Sequence, residues 1–208
     1  MILDMLISLI AALTCIILHE LAHGYVALLL GDKTAKKMGR LTFNPLKHID
    51  PIGLLAFVFL KFGWAKPVQV DPRNFKNPKR GMAITALAGP ATNFILAVFI
   101  LFIFGFIIPF VGRNAFIFQL FVRIAYFSVF LGIFNLVPIP PLDGSKVLFA
   151  IASDELWMKL MRYERYGFIF LLLLIMIPAT KNLLGTVTLT VFELLANVTT
   201  FSSHLIGY

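Results

Sequence analysis

The sequence predicts an all-α membrane protein. It reads as a polytopic helical bundle of about five to six membrane segments with a short membrane-inserted strand or re-entrant segment, folded as one domain over residues 1–208. Three observations predict this. Sixty per cent of the residues are hydrophobic, with 22 Phe and a mean hydropathy of +0.92, which leaves too few polar groups to cover a water-soluble surface. Apolar runs long enough to cross a bilayer recur along the chain. The net charge of +8 is carried in the connections between those runs, which argues for one side of a membrane and against nucleic acid.

The first run, Ile2 to Leu30, carries only Asp4, His19, Glu20 and His23 as charged or strongly polar side chains, and it is expected to be retained as a span because no small-residue cleavage site follows it. From Gly39 to Val70 the helix breakers Gly39, Pro45, Pro51, Gly53, Gly63 and Pro67 surround an apolar stretch, Ile52 to Leu60, that is too short to cross as a helix. This part is expected to fold back into the membrane beside the site, with strand content. Two long runs follow, over residues 82–110 and 116–137, then a Pro-rich break over 138–144 and a further span expected over 166–180. The last stretch, 183–206, is apolar but diluted by Thr, Ser, Asn197 and Glu193, and it reads equally as a span or an interfacial helix.

Most basic residues fall in two connections, Lys33 to Arg80 and Lys146 to Arg165. Placing both in the cytoplasm leaves Arg113 and Lys181 on the other side, and the amino terminus outside. A single cysteine, Cys15, excludes an intramolecular disulfide and is expected to pack as a small hydrophobe.

Within the first span, Leu18-His19-Glu20-Leu21-Ala22-His23 is the His-Glu-x-x-His pattern of zinc hydrolases. Positions four apart on a helix lie on one face, about 40° and 6 Å apart, so His19 and His23 can bind one ion. Glu20 projects to the side of that pair, within reach of a water on the metal, and is the expected general base. Unpaired His and Glu at membrane depth would cost several kcal/mol, so the motif calls for a metal. A catalytic zinc takes a third protein ligand and leaves one position open. The first span runs inward, and the run 116–137 also ends on the inner side, at Pro138, Pro140, Pro141 and Asp143. Asp143, at the end of this irregular stretch, is the expected third ligand; N-capping of the helix that starts near Gly144 is a compatible role.

The pairing of His19-Glu20-Leu21-Ala22-His23 with Asn135-x-x-Pro138-x-Pro140-x-x-Asp143-Gly144 resembles the site-2 protease family of intramembrane metalloproteases. Gly89-Pro90-Ala91-Thr92-Asn93 is similar to that family's Gly-Pro-x-x-Asn element. The stretches Arg40 to Pro51 and Gly63 to Val68 resemble its compact prokaryotic branch, which lacks PDZ-like and nucleotide-binding additions. Gln69 departs from the pattern, standing where many relatives carry proline. The resemblance covers about His19 to Gly144. It implies one Zn²⁺ per chain on His19, His23 and Asp143, with Glu20 as base. It also implies cleavage of single-span membrane proteins near the cytoplasmic face, in a prokaryotic cytoplasmic membrane. Asn93 and Asn135 are then expected near the substrate or its oxyanion, with interhelical hydrogen bonding as the alternative. His48 is expected to be interfacial or hydrogen-bonded rather than a ligand, and His204 to be a surface residue.

Two other readings stand beside this one. A zinc membrane protease with a downstream glutamate ligand would need Glu155, Glu164 or Glu193 in a matching pattern, which is absent from the sequence. A metal-binding transporter or a silent, chaperone-like protein would have no need of Glu20.

Overall fold

The computed structural model describes residues 2–60, 64–111 and 115–205. Gly63, Arg113 and Lys61, which entered the sequence reading, lie outside the described residues. Eight α-helices are present among those described: α1 (Ile2–Leu29), α2 (Thr34–Lys37), α3 (Pro51–Leu60), α4 (Pro78–Ile107), α5 (Phe116–Leu136), α6 (Asp143–Ala150), α7 (Asp154–Met176) and α8 (Pro178–His204). Four are long and apolar enough to cross a membrane: α1, α4 with its 3₁₀ continuation to Phe110, α5 and α8. The all-α polytopic class read from the sequence therefore holds.

Helix α4 is the axis of the bundle, packing on α1, α5, α6 and α8. Phe104 meets Phe118 and Phe121, while Gly132 closes on Phe94, so α4 and α5 run antiparallel. Helices α1 and α5 run in the same direction, joined by Arg123 to Asp4 and Ser8 at one end and by Cys15 to Ser128 further along. Cys15 sits with Ala11 and Ile124 in a small apolar core, as a packing residue should.

The segment expected to hold strand content is mostly something else. Residues 51–60 form helix α3, because Asp50 accepts from the backbone N–H of Ile52 and Gly53 and starts a helix after Pro51. Strand character among the described residues reduces to one antiparallel bridge, Ile49 to Ala65, with Lys66 N–H donating to the His48 carbonyl. Ten residues of helix reach only about 15 Å, so α3 is too short to cross.

Candidate metal centre

Helix periodicity stacks His19 and His23 on one face of α1, with ring centroids 4.5 Å apart. Their Nε2 atoms lie 3.0 Å from each other. Asp143 reaches them from the start of α6, its Oδ2 lying 3.1 Å from each Nε2. All three residues are buried. The residue at the N-cap of α6 is Leu142, and Asp143 is the first residue of the helix, so its carboxylate turns to the histidines instead of capping. Lys146 lies 3.7 Å from its other oxygen, Oδ1.

Several backbone features bring Asp143 there. Helix α5 stops at Leu136 because Pro138, Pro140 and Pro141 follow, and the chain turns through hydrogen bonds from Ile139 N–H to the Val137 carbonyl and from Leu142 N–H to the Ile139 carbonyl. Gly144 then sits against the Leu136 carbonyl, where a Cβ would lie only 2.2 Å from that oxygen. A glycine is required for α6 to start so close to the end of α5.

Helix α4 completes the site around its Gly-Pro element. A Cβ on Gly89 would come within 2.5 Å of both His19 Cε1 and His23 Nε2, so the missing side chain lets α4 lie directly over the two rings. Pro90 lacks an N–H, so the Ala86 carbonyl four residues back has no helical donor. The Thr85 carbonyl accepts from His23 Nδ1 at 2.7 Å. One turn beyond Pro90, Asn93 Oδ1 accepts from His19 Nδ1 at 3.3 Å. Asn93 is fully buried, and its Nδ2 is without a partner among the described residues.

These contacts set the chemistry. A carbonyl oxygen can only accept, so each histidine carries its proton on Nδ1 and presents a lone pair at Nε2. Two such lone pairs and a carboxylate oxygen converge within about 3 Å, an arrangement that repels itself unless a cation sits among them. Three ligands of a tetrahedral zinc at roughly 2.0–2.1 Å stand roughly 3.3 Å apart, close to the spacing of this triangle. Two imidazoles and one carboxylate suit zinc, and the Nδ1 contacts are of the kind that orients histidines for zinc binding.

Glu20 points elsewhere, as the helix geometry requires. Its Oε2 accepts from the Val68 backbone N–H at 2.7 Å. Arg40 holds that part of the chain in place by donating from Nη2 to the carbonyls of Lys66 and Pro67. The conspicuous Arg40 to Pro51 stretch thus acts as a frame. Asn44 caps the 3₁₀ turn at Pro45, the His48 ring donates through Nε2 to the Thr42 carbonyl at 2.8 Å, and Asp50 caps α3. His48 is buried and stands outside the His19, His23 and Asp143 group. Asn135 donates to the Leu131 carbonyl of its own helix, and His204 is exposed. Sequence reasoning missed the Thr85 carbonyl, the Val68 N–H and Lys146.

A buried His-His-Asp triangle that could hold a metal, with a glutamate one residue along, in a chain with four membrane-length helices, is the arrangement a membrane metallopeptidase would need. The family description Peptidase family M50 matches residues 7–119 and 108–177, and the chain belongs to that family. YwhC of Bacillus subtilis (strain 168), named as a candidate zinc metalloprotease, is 41% identical over 183 residues, covering 84% of this chain and 80% of its own length. Rip2 of Mycolicibacterium smegmatis, named likewise, is 31% identical over 170 residues, covering 79% of this chain and 64% of its own. Zinc metalloprotease MJ0392 of Methanocaldococcus jannaschii is 29% identical over 140 residues, covering 67% of this chain and 32% of its own. No solved structure matches the chain. The protein is an integral membrane zinc metalloprotease, with Zn²⁺ as its cofactor.

Proposed function

We propose that this metalloprotease is an endopeptidase acting inside the bilayer, on peptide bonds of single-span membrane proteins near the cytoplasmic face. The observation that carries this reading is the depth of the site. The two histidines belong to α1, one of the four membrane-length helices, and Gly89 and Asn93 of a second such helix cover them. His19, His23 and Asp143 would hold the zinc. Bound there, zinc supplies a Lewis acid that polarises a peptide carbonyl and acidifies water.

Glu20 acts as the base that takes the water proton and then delivers it to the leaving amine. The hydrogen bond from Val68 keeps the carboxylate aimed until substrate arrives. A substrate helix hides its carbonyls in hydrogen bonds, so it must open before attack. Arg40 occupies the Lys66 and Pro67 carbonyls and Glu20 the Val68 N–H, so the opened strand would pair with the remaining backbone of this extended stretch, toward Gln69 and Val70. Asn93 orients His19, and its unpartnered Nδ2 is a candidate donor to the oxyanion; Asn135 is a second.

The test is direct. Purified protein in detergent or proteoliposomes is mixed with a single-span substrate, with and without chelator, and the fragments are sized by mass spectrometry. A zinc-dependent cut within the span supports the proposal. A cut only in the extramembrane part would leave a zinc metalloprotease but remove its intramembrane action.

A further inference from the structure

The sequence predicts a span over 166–180, but of the two helices described after α6 only α8 is long and apolar enough to cross, and the packing of α7 and α8 describes how they share the path. Lys79, the second residue of α4, forms an ion pair with Asp154 and donates to the Ala152 carbonyl, which pins the start of α7 to the end of the bundle where α4 begins. Ile175 and, past the break at Pro178, Lys181 line a cavity of about 360 Å³ that runs along α5 from Tyr126 to Phe134.

The register of α8 agrees. Phe192 meets Tyr126 of α5, and Thr199 donates to the Leu101 carbonyl near the opposite end of α4, with Ser202 against Gly105. Helix α8 therefore runs parallel to α4 and antiparallel to α5. Counting back from the Phe192 contact sets Lys181 beside the end of α5, at about the depth of Gly89 over the two histidines. At 1.5 Å per residue, α7 is roughly 34 Å long but descends only about 15–20 Å between Lys79 and that depth. A crossing needs about 30 Å.

The composition of α7 suits an oblique path. Its first half carries exposed Lys159 and a half-buried Trp157, residues at home among lipid headgroups. From Gly167 onward it is wholly apolar, and Ile169, Phe170, Leu173 and Met176 are exposed to whatever surrounds the bundle. Gly167 rests directly on Pro140, in the break that leads to Asp143, so α7 also braces the metal centre from below. At membrane depth a surface of this kind faces lipid.

We propose that α7 and α8 make one broken crossing. Helix α7 docks obliquely into the phospholipid leaflet on the Lys79 side and stops at the depth of the metal centre. Helix α8 alone completes the passage, so the C-terminal end of α8 emerges on the face opposite Lys36, level with the start of α1. Lys181 then lies within the leaflet at the cavity wall and not in a loop on the other side.

Site-specific labelling decides the matter without any assay of activity. Cys15 is buried at 1% exposure and can stay. Lys36→Cys and His204→Cys, both at exposed positions, are treated with an impermeant maleimide in intact cells, in inverted vesicles and after detergent solubilisation. The proposal expects the two positions to label from opposite faces. Labelling of both from the same face would mean that α7 crosses separately and would overturn it. Failure of His204→Cys to label from either face before detergent would also overturn it, since the helix end would then lie within the bilayer.

Discussion

Val68 N–H and Glu20 Oε2 are joined by a 2.7 Å hydrogen bond across 48 positions of sequence, so the residue that would move the proton is held by the segment that would meet the substrate. The same segment is clamped by Arg40, and the histidines beside Glu20 are held by α4. The metal centre and the base are thus fixed by different parts of the chain and should fail separately.

Asn93 and His19 test the outer hydrogen bonds. Asn93→Ala removes the acceptor at His19 Nδ1 and should weaken zinc binding by about 10–100-fold in a chelator competition. Asn93→Asp keeps an acceptor and should bind zinc nearly as well as wild type. Equal affinities for all three proteins would leave Asn93 with a packing role only.

Gly89→Ala tests the closeness of α4 to α1. The new methyl would stand 2.5 Å from His19 Cε1 and His23 Nε2, so the helices must part or the rings must turn. The expected cost is about 1–3 kcal/mol of stability, together with loss of zinc. Thermal unfolding and metal content of the purified variant report both, and unchanged values would mean that the two helices do not approach as described.

Asp143→Asn replaces an anionic ligand with a neutral one. Zinc content should fall along with cleavage, because an amide is a poor zinc ligand. Retained metal and retained activity would remove Asp143 from the centre.

Asp32 gives a pH dependence outside the spans. Burial opposes its ionisation, but donors from the Thr34 hydroxyl, Asp71 N–H, Thr34 N–H and the Asn74 amide outweigh it and hold the carboxyl below the usual carboxylate range. A lowered folded-state value stabilises the fold above the unfolded value of about 4, and that contribution is lost as pH falls through the folded value. Asp32→Asn should therefore lower the melting temperature at pH 7, with the gap to wild type closing below about pH 4. A gap independent of pH would contradict the assignment.

Much of the site was legible because its residues announce themselves against an apolar background. His19, Glu20, His23 and Asp143 are polar groups where lipid-facing chains rarely keep them, and helix geometry plus span direction brought them together. The roles of Thr85 and Val68 were not legible, since both act through backbone atoms that any residue possesses. The folded-back segment Gly39 to Val70 is expected from sequence to hold strand content, but the Asp50 side chain starts a helix over residues 51–60, a local cap that outweighs the flanking glycines and prolines. The pairing of Arg123 with Asp4 and Ser8 was equally invisible, because it joins helices more than a hundred residues apart.

The most direct test of the account measures metal and turnover in one preparation of Glu20→Gln. The amide still accepts from Val68 N–H and leaves both histidines in place, so the variant should fold and hold zinc as wild type does. Cleavage of a single-span substrate should fall by about two orders of magnitude or more. Near-normal cleavage by zinc-loaded Glu20→Gln would contradict the assignment of Glu20 as the base, and with it the mechanism proposed for this protein.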